Sequence, residues 1–168
     1  FDKLDDADVD TAIGMIAKAR NTVVFGGGRE RLQIMGFAMR LYHMGLEVAV
    51  EGDMTTPPVG KGDLFMVTVG PGEISTALAL LDIAKKAGAT ILVLTAQPKG
   101  RAAAYADFVL VVPAQTMADD RSSTTSILPM GSLYEGALFL LFEVMVLKLR
   151  SLLVVDAEAM RANHTNLE

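Results

Sequence analysis

Cysteine is absent from the 168 residues of this chain, which excludes disulfides, thiolate nucleophiles and Cys–zinc sites. Histidine is nearly absent too: His43 and His164 alone are too few for a multi-histidine metal site, so no metal is expected. No apolar run approaches the ~20 residues that span a bilayer, and no signal peptide is recognisable. There is no basic excess; the net charge of −5 leaves no electrostatic footprint for nucleic acid. These absences fit a cytoplasmic protein with neither membrane nor nucleic acid as partner. The chain begins at Phe1 and not at Met, as expected of a sequence lacking an N-terminal piece.

What is present points to a folded globule. Apolar residues make up 51% and charged residues 21%, and one domain over 1–168 is expected to bury roughly 70% of its unfolded surface. The chain is organised around Thr22 to Gln33, where a short β-branched strand runs into Gly26-Gly27-Gly28 and then into a helix. Consecutive glycines permit positive φ and close backbone approach, and the first helical turn offers unpaired N–H groups to anions or polar sugar groups. Gly26 and Gly28 also fit a dinucleotide fingerprint, with Glu51 or Asp53 placed for a ribose hydroxyl. The third glycine of that fingerprint is Arg31, which argues against a nicotinamide cofactor.

Periodicity predicts a helix over Asp8–Lys18, a second from Glu30 to Met44 stopped by Gly45, and a third from Ser75 to Ala87 stopped by Gly88. Strands are expected at Leu46–Val50, Asp63–Val69, Thr90–Thr95 and Phe108–Val112, with a short helical piece after Gln97-Pro98-Lys99-Gly100. Near-continuous Val/Ile/Leu strands alternating with helices predict an α/β fold whose parallel sheet is covered on both faces. Ligands of such sheets bind beyond the carboxyl ends of the strands, here at Gly26–Glu30, Asp53–Thr56, Gly70–Glu73 and Thr95–Gln97. A polar loop from Ala114 to Pro129 reads equally as a binding loop or a solvated one. The last long helix, Ser132–Arg150, is apolar nearly all round, so part of it is expected to meet another subunit. A short helix, Asp156–Ala162, precedes the tail.

Glu135 has two readings. Ser132-Leu133-Tyr134-Glu135 matches a capping box, with the carboxylate reaching back to an orphan N–H. A carboxylate in apolar surroundings is equally a general base for removing a proton α to a carbonyl. Glu73 divides in the same way between helix N-cap and substrate contact. His43 is expected to serve the C-terminal end of its helix. His164, in the tail, is either an exposed side chain or a proton donor or acceptor reaching a neighbouring subunit.

The chain resembles the sugar isomerase (SIS) domain family, and within it the 6-phospho-3-hexuloisomerase branch. The resemblance is carried by Gly26-x-Gly28-Arg29, Phe37-Ala38-Met39-Arg40-Leu41, Thr56-Pro57, Gly70-x-Gly72-Glu73, Pro129-Met130-Gly131-Ser132-Leu133-Tyr134-Glu135 and His164-x-Asn166-Leu167-Glu168. It implies a three-layer α-β-α sandwich on a five-stranded parallel sheet, assembled as a homotetramer. It also implies isomerisation of a hexulose 6-phosphate to fructose 6-phosphate through an enediolate, with no cofactor. Glu135 and His164 become the catalytic pair, one removing the proton between carbons 1 and 2 and the other managing hydroxyl protons, with His164 lent by an adjacent subunit. The substrate-binding residues expected beside them are Gly27, Gly28, Arg29, Thr55, Gly70, Gly72, Glu73 and Ser75, with Thr124 and Thr125 from the long loop. Amides of Gly27, Gly28 and the Gly70–Gly72 turn would stabilise oxyanion charge.

The chain departs from the family pattern where a phosphate is expected. Gly28-Arg29-Glu30-Arg31 stands in place of Gly-Arg-Ser-Gly, and Val69-Gly70-Pro71-Gly72-Glu73-Ile74 in place of Ser-Gly-Ser-Gly-Glu-Thr, so hydroxyls are lost at four positions. A Glu30 carboxylate ~6 Å from a phosphate would repel it by about 3 kcal/mol per unit charge, against at most about 2 kcal/mol returned by a helix N-terminus. Unless Glu30 turns away or pairs with Arg31, a phosphate must bind through other groups (backbone N–H, Arg29, Ser75 or the Ser122–Ser126 loop) or be lacking from the substrate there. Two alternatives follow: an isomerase acting on a different, non-phosphorylated sugar, or a non-catalytic sugar-binding protein on the same scaffold.

Overall fold

The computed structural model describes residues 3–121 and 126–167. In chain order the elements are α1 (Asp6–Lys18), β1 (Thr22–Gly26), α2 (Glu30–His43), β2 (Val48–Val50), β3 (Leu64–Thr68), α3 (Ser75–Lys86), β4 (Thr90–Thr95), a single 3-10 segment (Arg101–Tyr105), β5 (Phe108–Val111), α4 (Ser132–Leu153) and α5 (Ala157–Ala162). Helix α1 starts earlier than its apolar stripe because the Asp5 carboxylate accepts the Ala7 N–H at 2.9 Å and caps it. Helix α4 runs on to Leu153 and ends where Val154 turns left-handed, at φ 55°.

All five strands are parallel, in the order β2-β1-β3-β4-β5. Alternate side chains divide the core in two. Val24, Met66, Leu92, Leu94 and Leu110 face α1, α2 and α4, where Phe37 and Phe142 stack with ring centroids 4.6 Å apart. Val23, Phe25, Phe65, Val67, Ile91 and Val93 face α3 and the 3-10 segment. Helices α2 and α3 both stop in Schellman turns: Gly45 and Gly88 adopt φ 82° and 81°, and the N–H groups of Leu46 and Ala89 return to Leu41 and Ala84. That geometry explains why glycine follows each helix.

The chain leaves β1 toward β2 on one side and reaches β3 on the other, so the topological switch point lies between the carboxyl ends of β1 and β3. The opposite, amino-terminal edge is held by Asp63. Its buried carboxylate accepts Arg20 Nε and Nη2 and the Gly60 N–H, each at 2.9 Å. The Arg20 bonds hold this carboxyl below its usual range, so its stabilisation is present at neutral pH and is lost as pH falls below about 4. Asp63→Ala is expected to lose about 2 kcal/mol, chiefly by orphaning the Gly60 N–H. Urea melts at pH 7 and pH 3 check this: the gap between variant and parent should narrow at the lower pH.

Candidate active site

Two glycine turns meet at the switch point. Gly26 permits β1 to approach the start of α2, since a Cβ there would lie 2.9 Å from the Arg31 backbone nitrogen. Gly28 adopts φ 54°, and a Cβ on Gly27 would strike the Ile74 side chain at 2.7 Å, so the first turn packs against the entry to α3. Among the described residues, no acceptor meets the N–H of Gly27 or Gly28. No side chain caps α3, whose first residue, Ser75, is exposed. These amides can therefore serve an anion or a developing oxyanion.

The second turn is closed. The Gly70 N–H, expected to face the oxyanion, donates instead to both Glu30 oxygens, at 3.0 and 3.1 Å. The Gly72 N–H closes its own turn on the Val69 carbonyl at 2.9 Å. Both N–H groups already have acceptors within the chain, so the oxyanion role expected of Gly70 and Gly72 is not open to them in this conformation.

Glu30 does turn away from the first turn, although not toward Arg31. The residue is 8% exposed, and its carboxylate takes the Thr68 hydroxyl at 2.6 Å. Because that hydroxyl proton is committed to Glu30, the Tyr134 O–H, 3.2 Å away, donates to Thr68 Oγ1. Burial raises the Glu30 carboxyl above its usual range; the Thr68 and Gly70 bonds oppose the rise and the Glu135 charge adds to it. Arg31 is occupied elsewhere, with Nη2 2.6 Å from the Glu51 carbonyl.

Glu135 reaches the same corner from α4. The helix begins one residue before the capping box would place it, with Gly131 as N-cap, so Glu135 sits one position too far along to reach back. The cap reading is corrected accordingly. The carboxylate lies over Gly131 and 3.1 Å from Arg29 Nη2, while Arg29 Nη1 donates to Ser132 Oγ at 3.2 Å. Glu135 Oε2 is buried, yet no donor among the described residues is aligned to hydrogen-bond it. The Arg29 contact is thus one of charge.

A family model described as SIS domain matches residues 15–140. This chain belongs to the SIS domain family. The protein of Mycobacterium gastri named 3-hexulose-6-phosphate isomerase is 38% identical over 166 residues, spanning 99% of this chain and 83% of that one. Its Bacillus subtilis namesake is 35% identical over 143 residues, 85% and 77% of the two chains. A crystal structure from Methanococcus jannaschii, said to infer a molecular function of 3-hexulose-6-phosphate isomerase, superposes with TM-score 0.87 at 26% identity over 96% of this chain and 86% of that one.

Within this SIS domain the other expected residues are scattered. Glu73 pairs with Arg101 at 2.7 Å and does not cap α3. Thr55 is exposed in a separate groove of about 520 Å³ with Met35, Met39, Tyr42 and Pro57. Thr124 and Thr125 lie outside the described residues. His164 is exposed at the far end of α2, its ring 5.0 Å from that of His43, while Asn163 Nδ2 donates to the His43 carbonyl at 3.1 Å. Arg29 marks one end of the 14-residue α2 and His43 the other, so His164 and Glu135 of one protomer stand on the order of 20 Å apart. Sequence reasoning missed the Tyr134–Thr68–Glu30 relay. The available signal was a glutamate opening a helix beside a strand that ends in threonine.

Proposed function

We propose that this SIS domain is a phosphosugar isomerase of the 3-hexulose-6-phosphate isomerase type, with Glu135 as the base. The observation that carries the reading is the Glu135 carboxylate, shielded, free of aligned hydrogen bonds and set beside the open amides of Gly27 and Gly28. Relatives of that name at 35% and 38% identity over most of the chain support it.

The chemistry follows from the positions of the two carbonyls. A 3-hexulose carries its carbonyl at carbon 3 and fructose at carbon 2, so the transferred proton belongs to carbons 2 and 3 and not, as the aldose–ketose pattern implied, to carbons 1 and 2. Glu135 removes the carbon-2 proton, and the electron pair becomes the enediolate double bond. Charge collects on oxygen 3, where preorganised N–H donors act most strongly. The proton returns to carbon 3 as the oxygen-2 hydroxyl passes its own to oxygen 3, and the carbonyl reappears at carbon 2. Carbon 2 is oxidised as carbon 3 is reduced, so this route requires no external oxidant. Arg29, 3.1 Å away, holds the Glu135 carboxylate in place.

His164 cannot meet Glu135 inside one protomer, so its catalytic part requires a neighbouring subunit. Phe139, Leu140, Val144 and Leu147 on α4 and Leu32, Met35 and Met39 on α2 are large exposed apolar side chains, and they support a homo-oligomer. The proposed assembly is a tetramer, and the proposed compartment the cytoplasm.

Incubation with 3-hexulose 6-phosphate, with fructose 6-phosphate formation read through a coupled assay, tests the function. In D2O, fructose 6-phosphate should gain deuterium at carbon 3. Saturable binding without conversion or exchange would replace the enzyme with a sugar-binding protein.

A further inference from the structure

We propose that Glu30 determines specificity at this site: its carboxylate acts as a built-in anion that closes the Gly70 turn to phosphate, leaving a substrate phosphate to the Gly27–Gly28 amides and the first turn of α3. The inference rests on the isomerase reading only for what the substrate is; the exclusion itself follows from this chain's own contacts.

Three features of the geometry carry it. The Gly70 N–H, the donor an anion would seek at the end of β3, is shared between both Glu30 oxygens. Space is closed as well as hydrogen bonding: a single carbon added at Gly70 would lie 2.9 Å from Glu30 Oε1 and 2.8 Å from the Tyr134 ring. The carboxylate is also anchored, since Thr68 Oγ1 donates to it at 2.6 Å and is itself tied to the Tyr134 hydroxyl at 3.2 Å. A phosphate arriving at Gly70 would have to displace a hydrogen-bonded carboxylate, or stack its charge on one, with the Glu135 carboxylate adding like charge from α4. At the Gly27–Gly28 end the amides are free, Arg29 brings positive charge, and α3 opens uncapped.

Charge and shape separate in Glu30→Gln. The amide side chain keeps an oxygen for the Gly70 N–H and a nitrogen that can donate to Thr68 Oγ1, but carries no charge. The proposal expects inhibition by inorganic phosphate to tighten at least about tenfold, and KM for the sugar phosphate to fall by a similar factor, with kcat changed much less. Binding of free fructose should not move. A purely structural Glu30 would instead lower the melting temperature and leave phosphate inhibition where it was; that result overturns the proposal, as does a collapse of kcat at constant KM.

The parent protein supplies a second test that needs neither turnover nor a folded variant. Amide NMR shifts during titration with inorganic phosphate should move at Gly27, Gly28 and Ser75 and stay fixed at Gly70. A Gly70 shift as large as that of Gly28, or no shift at Gly27, Gly28 and Ser75, overturns the proposal. Absence of isomerase activity in the parent would sink the functional reading while leaving this titration decisive for Glu30.

Discussion

Glu135→Gln is expected to fold as the parent does and to lose between about a hundredfold and ten-thousandfold in kcat. Glutamine fills the same volume beside Tyr134 and Gly131, so the apolar packing of α4 is unaffected. The ion pair with Arg29 disappears, but that guanidinium is 66% exposed, and pairs of this kind contribute on the order of 1 kcal/mol or less. What the substitution removes is the basic oxygen. A carboxamide oxygen has almost no affinity for a carbon-bound proton, whereas the Glu135 carboxylate keeps an oxygen uncommitted to any aligned donor. Deuterium exchange into fructose 6-phosphate should fall together with turnover, because both depend on the same proton abstraction. Matching melting curves with unchanged kcat would leave Glu135 as a partner of Arg29 and nothing more.

Gly70→Ala should be strongly destabilising. Its Cβ would lie 2.8 Å from two ring carbons of Tyr134 and 2.9 Å from Glu30 Oε1. Relief is blocked on both sides: Tyr134 is 1% exposed and packed in the core, and Glu30 is fixed by Thr68. Overpacking of this kind costs typically 1–3 kcal/mol, and displacing the carboxylate would also orphan the Gly70 N–H, for about 1–3 kcal/mol more. A loss of about 2–6 kcal/mol corresponds to a fall in melting temperature of roughly 4–24 °C for a domain of this size. Calorimetry on the variant checks it, and adding Tyr134→Leu should recover part of the loss by opening space for the methyl. A shift of under two degrees would mean that the β1–β3 corner is far more yielding than its contacts imply.

Both predictions concern one corner of the sheet, and the sequence made that corner only half legible. The layers were readable because their causes are local: strands buried on both faces must be continuously apolar, and each crossover helix carries a period-3.6 stripe and a glycine stop. Gly45 and Gly88 marked helix ends correctly because the left-handed turn needs a residue without a Cβ. The capping box at Ser132 misled because a short spacing is satisfied by either of two helix starts, and Gly131 took the N-cap.

Side-chain partners were another matter. From the chain alone, Glu30 could be seen to threaten a phosphate, but not that it would fold beneath Gly70 and bind Thr68. Those groups are separated by about forty residues and meet only because β1 and β3 are neighbours. The sequence by itself determined the layers, the helix stops and the location of the glycine turns, since each depends on backbone freedom and hydrophobic period within a few residues. Tertiary structure alone decided which amides stay open, where the Glu30 charge goes and that His164 stands a helix length from Glu135. Those outcomes depend on strand order and on the direction each buried side chain takes, and no local pattern encodes either.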